Sequence, residues 1–318
     1  MGQTASSKNA LEATTGRRKP METLKQWVHH KTELANAGSI MIKTRVGDVQ
    51  YTDMGKGIPV IHSHGSPAGC DAGPRAFGRL AEEGGLRFIT PSRPGFLKTP
   101  LSVGKTAVQQ ADMFVALMDS LKIENAVIHA WSGGGPPAIE AAKKYPGRFK
   151  GLILYSCLAH RWGNKVTFFK KMILSDPGEW AFTIMQKMTP EAFRKKTCQE
   201  MGLDYEYLKN IPERMALVDC LYDFMSPASL RNDGSFNDMD HYSKIDDPEM
   251  EKISIPTLIT FSPSDNQIPI SNAEVAHEKI PHSRFIQFEH GGHIPLADPR
   301  ADFLNGEMIQ FIRQCHET

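Results

Sequence analysis

Val127-Ile128-His129-Ala130-Trp131-Ser132-Gly133-Gly134-Gly135 is the stretch whose reading decides the fold. An apolar run of β type ends, a serine stands among small residues, and a helical pattern over Pro137–Lys144 follows. This is a nucleophile elbow of the G-x-S-x-G type, with Ala130 in place of the first glycine. A chain that turns sharply and lifts a serine out of its end needs small side chains two before and two after it. The alternative, an ordinary glycine-rich phosphate turn, lacks support, because neither GxGxxG nor GxxxxGK[ST] is present.

The flanking sequence repeats strand and helix. Ile58–Ser63 is a short, nearly continuous apolar run, the pattern of a strand buried on both faces. Helical spacing follows at Arg75–Glu83, a strand at Arg87–Thr90, a helix at Thr106–Leu121, and strands at Ala126–Ala130 and Gly151–Ser156. Such alternation predicts a parallel sheet with helices on its faces. Before it, Ile40, Ile42 and Val46, then Val49 and Tyr51, predict two strands around a turn at Gly47-Asp48, and a short helix precedes them at Thr23–Ala35. The alternation stops near Leu158. Residues 160–245 carry helical patches broken by Pro177, Pro190, Pro212 and Pro227. It resumes with a strand at Thr257–Ser262, a helix at Asn272–Lys279, a strand at Arg284–Glu289 and a helix at Asp302–Cys315.

A second signal lies after the Ile58–Ser63 strand, in His62-Ser63-His64-Gly65-Ser66-Pro67. A His-Gly turn here, formed by His64 and Gly65, points backbone N–H groups at the nucleophile. The amides of Ser66 and Gly133 are the expected oxyanion donors. His62 and His64 also have the H-x-H spacing of metal ligands, but no further ligand follows at a matching interval, so no metal is expected. His62 reads as a structural histidine.

HGSP at 64–67, SRPGF at 92–96, AWSGGGP at 130–136, FSPSDNQIP at 261–269 and GGHIPLADP at 291–299 together resemble the α/β-hydrolase superfamily, and within it the capped serine hydrolases. The resemblance runs from about residue 40 to the end. It implies a mostly parallel eight-stranded sheet with helices on both faces and a helical cap. It implies Ser132 as nucleophile, Asp265 as acid and His293 as base, in the chain order of that fold, with Trp131 and Gly134 supporting the elbow. Ser92 stands where many members carry Asp, at a structural position. His290 competes for the base, and Asp240, Asp246 and Asp247 compete for the acid; the Gly-His dipeptide and the PSDNQIP context favour His293 and Asp265. Relatives that dehalogenate alkanes or open epoxides use an aspartate nucleophile, so a serine points instead to acyl transfer. The expected activity is cleavage of a carboxylic ester, thioester or amide through an acyl-enzyme, without cofactor. A non-hydrolytic ligand receptor on the same fold, or a lyase or cofactor-free peroxidase using the same triad, are the alternatives.

The division this predicts is an arm with a short helix over 1–38, core over 39–158, helical cap over 159–246 and core over 247–318. Trp162, Phe168, Phe169, Met172, Trp180, Phe182, Met185 and Met188 make the first half of the cap apolar, which favours a small or lipophilic acyl substrate. With 37 Lys and Arg against 36 Asp and Glu, the chain is not built to neutralise a nucleic-acid backbone. The five cysteines are scattered and odd in number, as expected of reduced thiols in the cytoplasm. Apolar runs such as Gly151–Tyr155 are too short for a membrane span, and the first twenty residues lack the apolar centre of a secretory signal. Met1-Gly2-Gln3-Thr4-Ala5-Ser6 fits the acceptor pattern for myristoylation of Gly2. One such chain holds a membrane weakly, and Lys8, Arg17, Arg18 and Lys19 would add attraction to anionic lipid. The other reading of that arm is an unmodified solvated tail. No protein partner is legible.

Overall fold

The computed structural model describes residues 22–161, 174–246 and 248–317. Eight strands form one sheet: β1 (Ile40–Thr44), β2 (Gly47–Gly55), β3 (Ile58–Ser63), β4 (Leu86–Pro91), β5 (Ala126–Trp131), β6 (Phe149–Tyr155), β7 (Thr257–Phe261) and β8 (Ser283–Gln287), in the order β1-β2-β4-β3-β5-β6-β7-β8. β2 is antiparallel to β1 and β4; every other pairing is parallel. The turn between β1 and β2 lies at Arg45-Val46, since Thr44 pairs with Gly47. That corrects the expected turn at Gly47-Asp48. Gly47 has φ +131°, but it opens β2 rather than sitting at the centre of the turn.

The sheet has two apolar faces because its central strands alternate. Ile61, Ile128, Ala130, Leu152 and Leu154 face one core, while Val60, Val127, Trp131, Ile153 and Tyr155 face the other. The first face is covered by α3 (Ala107–Ser120) and α4 (Gly135–Lys144), the second by α2 (Ala72–Gly84) and α11 (Ala301–Glu317). Thr106 caps α3 with a capping box completed by Gln109. Strands buried on both faces have no solvated side, which is why they read as unbroken apolar runs.

Between β6 and β7 the described residues contain helices and no strand: α5 (Asp176–Met188), α6 (Pro190–Met201), α7 (Tyr205–Leu208), α8 (Pro212–Asp219) and α9 (Asn232–Tyr242). Trp162, Phe168, Phe169 and Met172 of the expected apolar half lie outside the described residues. So does Gly2 with its arm. The helix α1 (Leu24–Asn36) packs on this helical segment. Trp180 Nε1 donates to the Glu22 carbonyl at 3.1 Å, and Lys31 pairs with Asp223. α9 leans the other way, with Tyr242 inside the first core. α10 (Ser271–Lys279) follows β7. Among the described residues no helix is long and apolar enough to cross a membrane.

Three histidines sit fully inside, His62, His64 and His129. His62 and His129 are register partners on β3 and β5, and their Nδ1 atoms share one proton at 2.8 Å. Burial pushes the His62 imidazole down to about 3, and holds His64 and His129 well below the ordinary value. In the unfolded chain each would titrate near pH 6.5. Their contribution to stability is therefore full above that pH and lost as the pH falls through it, at about 1.4 kcal/mol per pH unit for each ring. We expect the urea midpoint to drop steeply between pH 6.5 and 5. A midpoint constant over that range would show that the rings are not buried neutral.

Candidate active site

In open α/β sheets, binding crevices form at the carboxyl ends of the strands where strand order reverses. Here β3 has β4 on one side and β5 on the other, and both candidate loops leave from that point. Ser132 follows β5 directly. Its φ of +54° is in the left-handed region, a strained placement for a non-glycine residue. The small residues around it have identifiable contacts. A Cβ on Gly134 would lie 2.0 Å from the Ser63 carbonyl oxygen, and one on Gly135 would lie 2.0 Å from that of Leu158. A Cβ on Gly65 would come within 2.8 Å of the Ser132 Cβ.

Ser132 Oγ lies 2.9 Å from His293 Nε2, and His293 Nδ1 lies 2.8 Å from Asp265 Oδ2. The other Asp265 oxygen accepts the N–H groups of Gln267 at 2.8 Å and Ile268 at 3.0 Å. The carboxylate is thereby fixed in orientation, with its side chain out of water. Trp131 Nε1 donates to the His293 carbonyl at 3.1 Å. The helical segment between β6 and β7 supports both loops. His293 N–H donates to the Met201 carbonyl at 2.8 Å, and a Cβ on Gly202 would lie 1.6 Å from the Ser264 carbonyl oxygen. The rival residues are elsewhere. His290 is exposed beside Glu289, Asp240 pairs with Lys244 and Asp246 with Arg161, while Asp247 lies outside the described residues.

The turn after β3 brings Ser66 beside the elbow. A Cβ on Gly133 would be 3.4 Å from Ser66 N. Gly133 N–H belongs to the first turn after Ser132, where helical acceptors are missing. His64 holds this turn as a neutral ring. Its Nδ1 donates to the Gly65 carbonyl at 2.8 Å, and its Nε2 accepts the Arg93 N–H at 2.9 Å.

Beneath the turn lies a buried ion pair that the sequence did not disclose. Arg93 and Asp238 meet side by side, Nη2 to Oδ2 at 2.6 Å and Nη1 to Oδ1 at 3.0 Å, both out of solvent. Burial opposes the Arg93 charge, but Asp238 and Tyr242 together more than offset this and raise the guanidinium pKa. The pair reaches both sides of the pocket. Ser66 Oγ donates to Asp238 Oδ2 at 2.9 Å. Arg93 Nη1 donates to Tyr242 Oη at 3.1 Å, and Tyr242 donates on to the Gly133 carbonyl at 2.9 Å. Arg93 Nε donates to the His64 carbonyl at 2.8 Å. Arg93 stood in the SRPGF motif, but nothing local marks Asp238 or Tyr242 as its partners.

A cavity of about 130 Å³ opens above Ser132 and His293, lined also by Trp131, Met201, Leu221 and Phe224. Among the described residues no group of three His, Cys, Asp or Glu side chains is placed to hold a metal ion.

Comparison with known proteins gives the same architecture. An uncharacterized hydrolase of Bacillus subtilis, YcgS, is 28% identical over 243 residues, covering 74% of this chain and 84% of the relative. The 2-hydroxy-6-oxo-6-phenylhexa-2,4-dienoate hydrolase of Comamonas testosteroni is 25% identical, covering 84% of this chain and 91% of the relative. An alpha/beta hydrolase fold protein from Nakamurella multipartita superposes with a TM-score of 0.75 at 28% identity, covering 86% of this chain and 99% of that one. The family model for the alpha/beta hydrolase fold matches residues 58–299, from β3 through the His293 loop, and the chain belongs to that family.

Proposed function

We propose that the protein is a serine hydrolase that cleaves a carboxylic ester, or a related thioester or amide, of a small or lipophilic acyl group. The observation that carries this reading is the unbroken relay from Ser132 Oγ through the His293 ring to Asp265, at 2.9 and 2.8 Å. A serine hydroxyl is a weak nucleophile until a base takes its proton. His293 Nε2 is at hydrogen-bond distance to do so, and Asp265 keeps the opposite nitrogen protonated and stabilises the imidazolium.

Ser132 attacks the acyl carbon, and its proton passes to His293. The oxyanion that forms is met by the Ser66 and Gly133 amides. His293 then protonates the leaving group, which departs as an alcohol, thiol or amine. Water enters, gives its proton to His293 and attacks the acyl-enzyme; the carboxylic acid leaves as Ser132 recovers its proton. The apolar lining favours an uncharged acyl group.

The test is a fluorophosphonate probe on the wild-type protein, followed by a panel of p-nitrophenyl esters, a 2-hydroxy-6-oxodienoate and a halide with peroxide. Labelling of Ser132 with ester turnover is expected. Absence of labelling would favour a ligand receptor, and turnover confined to the dienoate or to halide oxidation would replace the ester reading.

A further inference from the structure

The cap contains a second, larger space. Its volume is about 260 Å³, twice that of the cavity over Ser132, and it is walled by Leu174, Phe182, Phe193, Tyr222 and Met225. The aromatic walls are packed on one another, Phe182 to Phe193 at 6.0 Å between centroids and Phe193 to Tyr222 at 5.1 Å. One residue, Met225, lines both spaces. The short helical turn before it faces both ways: Leu221 and Phe224 line the cavity over Ser132, while Tyr222 lines the cap cavity.

Size makes the connection relevant. A space of about 150 Å³ holds a benzene ring, so the cavity over Ser132 accommodates a short acyl group and little more. A methionine is unbranched and has three rotatable side-chain bonds, which makes it a wall that can move. The segment after it is held in place. Glu179 accepts the Ala228 N–H at 2.9 Å and a hydrogen bond from Ser226, which anchors the backbone just after Met225. Burial pushes the Glu179 carboxyl up to about 7, so it can stand neutral in an apolar surround.

The geometry points to the cap cavity as the distal part of the substrate site: it receives the far end of a medium-length, uncharged alkyl acyl chain whose carbonyl lies at Ser132, and Met225 is the partition that sets how much of that chain is admitted. This rests on the hydrolase reading for the position of the carbonyl. The chain class follows from the lining: the walls named above are aromatic and aliphatic, and the two exposed charged side chains that also line the space, Lys196 and Glu200, pair with each other at 3.8 Å, which favours methylene groups over a charged terminus.

The test compares p-nitrophenyl decanoate with p-nitrophenyl acetate. Thr183→Phe fills the cap cavity from the wall that Thr183 lines, and the decanoate-to-acetate ratio of kcat/KM should fall at least about tenfold, the scale of discrimination by pocket size. Met225→Ala removes the partition and should raise the same ratio about tenfold. Calorimetry of decanoate with the wild type and Thr183→Phe supplies a readout independent of turnover. Weaker decanoate binding in Thr183→Phe supports the cavity even if fluorophosphonate fails to label Ser132, in which case only the hydrolase reading falls. Labelled, acetate-cleaving protein whose ratio stays within about twofold of wild type in both variants overturns the cap-cavity assignment. Decanoate binding unchanged by Thr183→Phe overturns it as well.

Discussion

Ser132→Ala should lower ester turnover by about 10⁴-fold or more and abolish fluorophosphonate labelling, with the fold intact. In a relay that acts as a unit, loss of the nucleophile removes most of the rate enhancement, and removal of a second member then costs little more. His293→Ala alone should therefore be nearly as slow, and the double variant no slower than either. The residual rate would come from the oxyanion donors and from binding. Stability moves differently. Ser132 is held at φ +54°, a conformation costing about 1–3 kcal/mol for a non-glycine residue. Ser132→Gly should unfold at a higher temperature than the wild type while being equally inactive. A Ser132→Ala protein that keeps more than a few per cent of the ester rate would remove this serine from the chemistry.

The second large effect is expected at Asp238. Asp238→Asn leaves the Arg93 guanidinium buried without its counter-charge, and breaking a buried pair from one side costs about 3–5 kcal/mol. That alone would be a structural effect. Asp238 also accepts from Ser66 Oγ, and Arg93 reaches the Gly133 carbonyl through Tyr242. Both amides assigned to the oxyanion thus depend on one ion pair, and loss of one such donor costs about 10²–10³ in kcat. The expected result is a kcat lowered by about 10²-fold with KM little changed, because the donors act on charge that develops after binding. The control is Asp71→Asn. Arg231 and Asp71 form another buried pair between cap and core, at 2.9 Å, with no link to Ser66 or Gly133. It should lose similar stability and keep its kcat. Equal kcat losses in the two variants would reduce Asp238 to a structural role.

The parts of this site that were legible in the sequence are those where backbone geometry restricts the residue locally. The elbow was readable because a small residue is needed two after the serine, where a Cβ on Gly134 would strike the Ser63 carbonyl of β3, and Gly135 next to it is held as close against Leu158. The central strands were readable because double-sided burial leaves unbroken apolar runs, and the first two because their apolar residues alternate about a turn. Asp238 was not, because its partner is 145 positions away and an acidic residue on a polar helix looks like any solvated one. α1 read as part of the arm because its only buried large side chain is Trp27; it is attached through its Lys31, and through Glu22 just before it, to residues 192 and 158 positions on. The turn between β1 and β2 was displaced by two residues because Gly47, the usual sign of a turn centre, here begins a strand.

The loops that carry Asp265 and His293 both rest on Met201 and Gly202, at the carboxyl end of α6 in the helical segment between β6 and β7. A chimaera that exchanges this helical segment for that of a homologue therefore also exchanges part of what holds those two loops. Recombination boundaries drawn at β6 and β7 would couple specificity and rate in every product. Keeping residues 201–202 native is the condition under which such an exchange would report on substrate choice alone.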